Sequence, residues 1–77
     1  MEKTILESVD ETENRYRRYI VALGRSLFGE HTVIRARGRI GQGMRTEVRN
    51  FRDYLKAKNH HDRILETKKR RGYKIAN

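Results

Sequence analysis

Hydrophobic and polar positions along the chain fall into runs of two different periods. Thr4 to Val9, TILESV, is short and rich in β-branched residues, which predicts a strand. Asp10 and Glu13 stand at capping-box spacing, where their side chains would satisfy the free N–H groups of a starting helix. In the following ENRYRRYIVALGRSLFG, residues Tyr16, Tyr19, Ile20, Leu23, Leu27 and Phe28 recur at three- and four-residue steps, and Gly29 sits where a helix-ending glycine belongs. A first amphipathic helix is predicted there.

His31 to Arg37, HTVIRAR, then alternates, with Thr32, Ile34 and Ala36 on one side and Val33, Arg35 and Arg37 on the other. This predicts a half-buried strand with a basic outer face. From Ile40 the period returns to helical, since Ile40, Met44, Val48, Phe51 and Leu55 fall at steps of four, four, three and four. The second helix ends between Leu55 and Lys58. Asn59 to Asp62 reads as a polar connection, after which RILET and YKIA flank KKRRG as a short hairpin, with Gly72 available for a positive φ. The order β-α-β-α-β-β implies an α+β fold, a two-layer sandwich with two helices on one face of a small mixed sheet.

Seventy-seven residues, 35% of them apolar and none tryptophan, make one domain, 1–77, with a small core. A core of that size predicts a homodimer, because association buries apolar surface that the monomer leaves wet. The chain has no cysteine, which excludes disulfides and thiolate metal sites and points to a cytoplasmic location. MEKTILESVDE lacks the basic-then-apolar order of a signal peptide, and no apolar run is long enough for a membrane span.

Charge changes the picture most. Residues 1–14 hold five acids and one lysine, an acidic segment of net −4, whereas residues 15–77 hold eighteen Lys/Arg against five acids, net +13. A body so charged is best tolerated beside a polyanion. Arginine outnumbers lysine thirteen to six, and its planar guanidinium suits bidentate phosphate contacts. Nucleic acid is therefore the expected partner, in a nucleoid-associated setting. A membrane is not, since no helix pairs a basic face with bulky lipid-inserting side chains.

Three groups of cations carry that expectation. Arg45, Arg49, Arg52 and Lys56 repeat the spacing of the second helix's apolar positions, Arg35, Arg37 and Arg39 lie on the strand and its turn, and Lys68, Lys69, Arg70 and Arg71 fill the last loop. Each alone reads equally as a solvated face. Together, with no acid between residues 31 and 46, they point to one binding surface. Gly38, Gly41 and Gly43 match neither the Walker loop nor the dinucleotide fingerprint, which disfavours a nucleotide or other small-molecule substrate. They permit either close approach of backbone to phosphate or plain helix–sheet packing. GRIG matches the GxxG of KH domains, but a strand precedes it where that loop needs a helix.

Catalysis has little support. His60, His61 and Asp62 lie in the polar connection, and sequence neighbours rarely converge on one metal, so no enzyme, metal or cofactor is expected.

YIVALGRSLFGEHTVIRARGRI, with Ala36-Arg37-Gly38-Arg39 at its end, and EVRNFRDYL resemble the archaeal Alba chromatin proteins over residues 19–55. The resemblance implies dimers that coat DNA or RNA with little sequence preference. It also implies that Arg37 and Gly38 contact nucleic-acid backbone, that Tyr19 is the aromatic of the first helix, and that KKRRG is a basic hairpin tip reaching a minor groove. The acidic Asp10 to Glu13 departs from that family's basic loop. Two other readings stay open: a structural component of a ribonucleoprotein particle, and an adaptor whose basic face docks an acidic protein.

Overall fold

The computed structural model describes residues 2–77, so Met1 of the expected 1–77 domain lies outside the described residues. Strands β1 (Glu2–Asp10), β2 (Arg15–Arg25), β3 (His31–Arg39) and β4 (Arg45–Phe51) lead into helix α1 (Tyr54–Arg70) and a short β5 (Lys74–Ile75). They form one five-stranded sheet in the order β4-β3-β2-β1-β5. Every pairing in it is antiparallel. The fold is α+β, but the sheet is not mixed and it carries one helix where two were predicted.

The first predicted helix is mainly strand β2, and the second is mainly strand β4, with its last residues opening α1; the reason is visible in the register. In β2, Tyr19, Val21 and Leu23 are buried on the side that meets α1, while Tyr16, Ile20 and Ala22 point to the other side. A strand apolar on both sides has lost its clean alternation, and its residues also satisfy three- and four-residue steps. β-branched and aromatic side chains decide the matter in favour of extended backbone. Around β4, Met44 just before the strand and Val48 and Phe51 within it give the same false helical spacing, although Val48 and Phe51 point to opposite sides.

The Asp10 cap exists but starts only a single 3₁₀ turn, Glu11–Glu13, with Thr12 N–H donating to the Asp10 carboxylate at 3.1 Å. Asn14, at φ 53°, then turns the chain into β2. Asparagine accepts this left-handed conformation at little cost.

α1 occupies the region read as polar connection and hairpin. Asp53 is its N-cap, accepting from Leu55 N–H at 3.0 Å. Its buried stripe is Ala57, His61 and Ile64. The helix ends where Gly72, at φ +94°, lets Tyr73 N–H reach back to the Lys68 carbonyl at 3.1 Å.

The core lies between α1 and one side of the sheet: Leu6, Tyr19, Val21, Leu23 and Val33 pack against Ala57 and Ile64, with Phe51, Leu65 and Tyr73 at its margin. Its burial contributes about 1.5 to 3 kcal/mol for each large side chain.

Candidate nucleic-acid interface

In an antiparallel pair, directly opposed residues share a side of the sheet. Arg17 opposes Arg39, Val21 opposes Arg35 and Tyr19 opposes Arg37, so all of these lie on the helix side. Arg45 opposes Arg37, and Arg49 opposes Val33, adding two more. Two strand-to-strand ladders thus bring to one side arginines that lie far apart in sequence.

α1 completes the surface. Arg35, Arg37, Arg49, Arg63, Lys68 and Arg71 line a cleft of about 460 Å³ between helix and sheet, floored by Tyr19 and Ile64. A second cleft on the far side of the helix end, about 210 Å³, holds Arg15 and Arg17 and shares Lys68 and Arg71. Lys68 and Arg71 therefore stand between two halves of one basic surface.

Few acids intrude. Glu47, on β4, opposes Arg35 and accepts from its guanidinium at 2.8 and 2.9 Å, which holds Arg35 above its ordinary proton affinity. Among the described residues, Arg17, Arg37, Arg45, Arg49, Arg63 and Arg71 have no carboxylate in ion-pair reach. Arg49 instead rests over the Phe51 ring at 5.0 Å.

Lys68 is the most confined cation. Its Nζ lies 4.5 Å from the Tyr19 ring centre and 5.7 Å from that of Tyr73, and the two rings meet edge-on at 6.2 Å. Aromatic faces stabilise the ammonium, but burial, followed by the positive field of Arg71, Arg37, Arg35 and Arg17, pushes its pKa down. His60, at the edge of the larger cleft, is pushed down likewise by burial and by Arg49, Arg35 and Arg63. Both shifts report a field that an anion would relieve.

Several expected site residues have other work. Gly38 cannot carry a side chain, because a Cβ there would sit 2.7 Å from the Gly43 carbonyl oxygen and 3.3 Å from Met44 Cα. This glycine lets the β3–β4 loop fold against β3, a structural duty. Arg39 holds the β1–β2 turn, donating to the Asn14 backbone and side-chain oxygens at 3.3 and 3.1 Å and stacking over Tyr16 at 5.0 Å. Tyr19 is 2% exposed and supports Lys68 from below, so it is no stacking platform.

The KKRRG segment is the end of α1 and not a hairpin tip. Lys68 turns inward and Arg71 reaches the clefts, whereas Lys69 and Arg70 point to solvent, with Arg70 4.0 Å from Glu66. Positive charge in a last turn offsets the helix dipole, which accounts for this pair locally. Arg52, in the β4–α1 connection, lines neither cleft.

Arg15, Arg17 and Arg63 belong to the surface but were not among the predicted residues. The signal for Arg17 was its two-residue spacing from Tyr19 in RYRRY, obscured once that segment was read as helical.

A family model for the WGR domain matches residues 2–77, nearly the whole chain. The chain belongs to the WGR domain family. This replaces the Alba resemblance, which rested on short motifs over half the chain, and the antiparallel sheet with a single helix agrees with the replacement. No curated protein and no solved structure matches the chain. For this WGR domain, family membership is in keeping with nucleic-acid binding in general, and it carries no more specific function.

Proposed function

We propose that this WGR domain is a binding module that takes DNA or RNA through the phosphate backbone, with little sequence preference, on the helix side of its sheet. The observation that carries the reading is the convergence of Arg17, Arg37, Arg49, Arg63, Lys68 and Arg71 from β2, β3, β4, α1 and its end, with two carboxylates at its margins, Glu47 on Arg35 and Glu13 on Arg15. Separate elements agreeing on one sign is not how solubilising charge is distributed.

Binding draws its free energy from counterions released as phosphates are neutralised. Strands lie about 4.8 Å apart, so arginines on β2, β3 and β4 are spaced to engage successive phosphates of a strand laid across the sheet. The larger cleft offers guanidinium and ammonium donors but neither a carboxylate nor an amide aimed into its centre to discriminate base edges, which supports the low sequence preference.

The test is a fluorescence titration with duplex DNA, single-stranded DNA and RNA at two salt concentrations, for wild type and Arg37→Ala. The expected log–log slope against salt is about −3 to −5 on duplex, shallower by about 1 in Arg37→Ala. Affinity indifferent to salt, or unchanged in the variant, would overturn the proposal.

A further inference from the structure

β4 closes one end of the sheet. It pairs with β3 alone, so among the described residues the outward N–H and C=O groups of alternate β4 residues have no strand beside them. Every residue from Arg45 to Asn50 is exposed. A free edge of this length is a template for one more strand, and proteins with no use for it cover it or interrupt it with proline or a bulge. Here the chain has no proline, and β4 pairs with β3 without a break from Arg45 to Phe51. What guards the edge is charge, nearly all of one sign.

Side chains along the edge define what fits beside it. On the helix side stand Arg45, Glu47, Arg49 and Phe51, and on the open side Thr46, Val48 and Asn50. Glu47 is engaged by Arg35, and the carboxylate of Asp53, just beyond the strand, caps α1. Arg45 and Arg49 have no carboxylate in ion-pair reach among the described residues. Beside Arg49 a groove of about 390 Å³ opens between the sheet and α1, lined by Val33, Arg35, Glu47, Val48, Arg49 and His60. On the open side Val48, 60% exposed, ends an apolar row that starts at Ala22 and passes through Ile34.

We infer that the free edge of β4 is a docking site for an extended acidic segment of a partner protein, which joins the sheet as a further strand. The backbone selects the class of partner. Donors alternate with acceptors along a strand edge, whereas phosphates offer acceptors only, so a polypeptide satisfies this edge and a nucleic-acid backbone does not. The side chains select the sequence. Acids belong opposite Arg45 and Arg49, and an apolar residue opposite Val48 carries the apolar row one strand further. For an antiparallel partner this reads, in chain order, acid, apolar, two free positions, acid. A second copy of β4 fits less well. With Val48 against Val48 it sets Glu47 against Arg49, but Glu47 already serves Arg35, and each copy brings a net charge of +9.

Arg49 also lines the phosphate-binding cleft, so an occupied edge weakens nucleic-acid binding. That consequence rests on the phosphate-binding proposal; the docking itself does not.

The probe is a capped, fluorescein-labelled peptide of sequence LTEVTTE, with LTKVTTK as its charge-reversed counterpart, each titrated into the full chain. LTEVTTE is expected to bind at least about tenfold tighter than LTKVTTK, since two cross-strand pairs change sign. Arg45→Glu with Arg49→Glu, both at exposed positions, is expected to reverse that order. Amide hydrogen exchange should slow at alternate residues of β4 when LTEVTTE is bound. No binding up to about 1 mM, equal binding of the two peptides, or binding without slowed exchange in β4 overturns the inference. Slowed exchange in β4 that grows with the concentration of the chain alone makes a second copy the occupant and overturns it, as does the same slowing produced by duplex DNA. Saturating LTEVTTE is expected to weaken duplex binding severalfold, and unchanged duplex affinity overturns the competition. If LTEVTTE docks but no duplex binds at any salt concentration, the phosphate proposal fails and the docking stands; if duplex binds but LTEVTTE does not, the docking alone fails.

Discussion

The two sides of the sheet are built from alternate residues of the same strands, yet they carry opposite chemistry. Arg35 and Arg37 of β3 share the helix side with Val33, while Ile34 and Ala36 face the open side with Thr32 and Gly38. On the helix side half of the surface is core, sealed by Ala57 and Ile64, and the other half is a cationic cleft. On the open side the centre is apolar, with the Arg18–Glu7 pair and the lysines Lys3 and Lys74 toward its edge. The strand period of two lets one short chain separate a strongly cationic surface from a largely apolar one. A slip of one residue in any pairing would mix the two.

That contrast can be broken in graded ways. The largest effect is expected from reversing charge on the helix side: Arg17→Glu with Arg37→Glu should weaken duplex binding by about a hundredfold, since two contacts are lost and two repulsions gained. Thr46→Glu adds the same sign on the open side and should change affinity less than about twofold, because it lies across the sheet from the cleft. Parallel titrations check both, and equal losses would show that the sheet does not separate the two surfaces.

Gly38→Ala comes next. Its Cβ would collide with the Gly43 carbonyl, so the β3–β4 loop must shift, at a cost of about 1 to 3 kcal/mol in urea unfolding. Affinity should follow only as far as the cleft is disturbed. This separates the glycine's packing duty from the phosphate contact that the sequence suggested.

The smallest effect is a pH dependence. His60 has its pKa held below the usual histidine value by burial and by Arg49, Arg35 and Arg63. Phosphates that neutralise those arginines raise it on binding, so complex formation takes up a proton. Affinity should strengthen as pH falls through the raised value of the complex and level off below the lowered value of the free protein. The gain is under about tenfold, the equivalent of one pKa unit. His60→Ala should flatten the curve while leaving the salt slope in place.

The sequence made some of this legible and hid the rest. TILESV and HTVIRAR lie within strands of the structure, the first legible from its β-branched residues and the second from its clean alternation. The expectation that basic groups from separate elements share a surface rested on charge alone, which needs no correct fold, and the register brings Arg35, Arg37, Arg45 and Arg49 to one side. β2 failed because Ile20 and Ala22 belong to a second apolar surface, a pattern that a single core does not predict. α1 was missed because its buried stripe is Ala57, His61 and Ile64, too weakly apolar to stand out among lysines and arginines. The packing duty of Gly38 could not be chosen over phosphate approach for want of its neighbour in space: nothing in RGRIGQG announces that Gly43 folds back onto it. Arg17 and Arg63 could be found only once the register and the helix were known.

The most direct measurement is an amide chemical-shift map of the isotope-labelled protein titrated with a short duplex. The largest perturbations should fall at Arg17, Arg37, Arg49, Lys68 and Arg71, with Ile5, Ile20, Ile34 and Val48 unmoved relative to the spectrum of the unbound protein. Perturbations centred on those four apolar residues, or spread evenly over both sides of the sheet, would contradict the assignment of phosphate binding to the helix side.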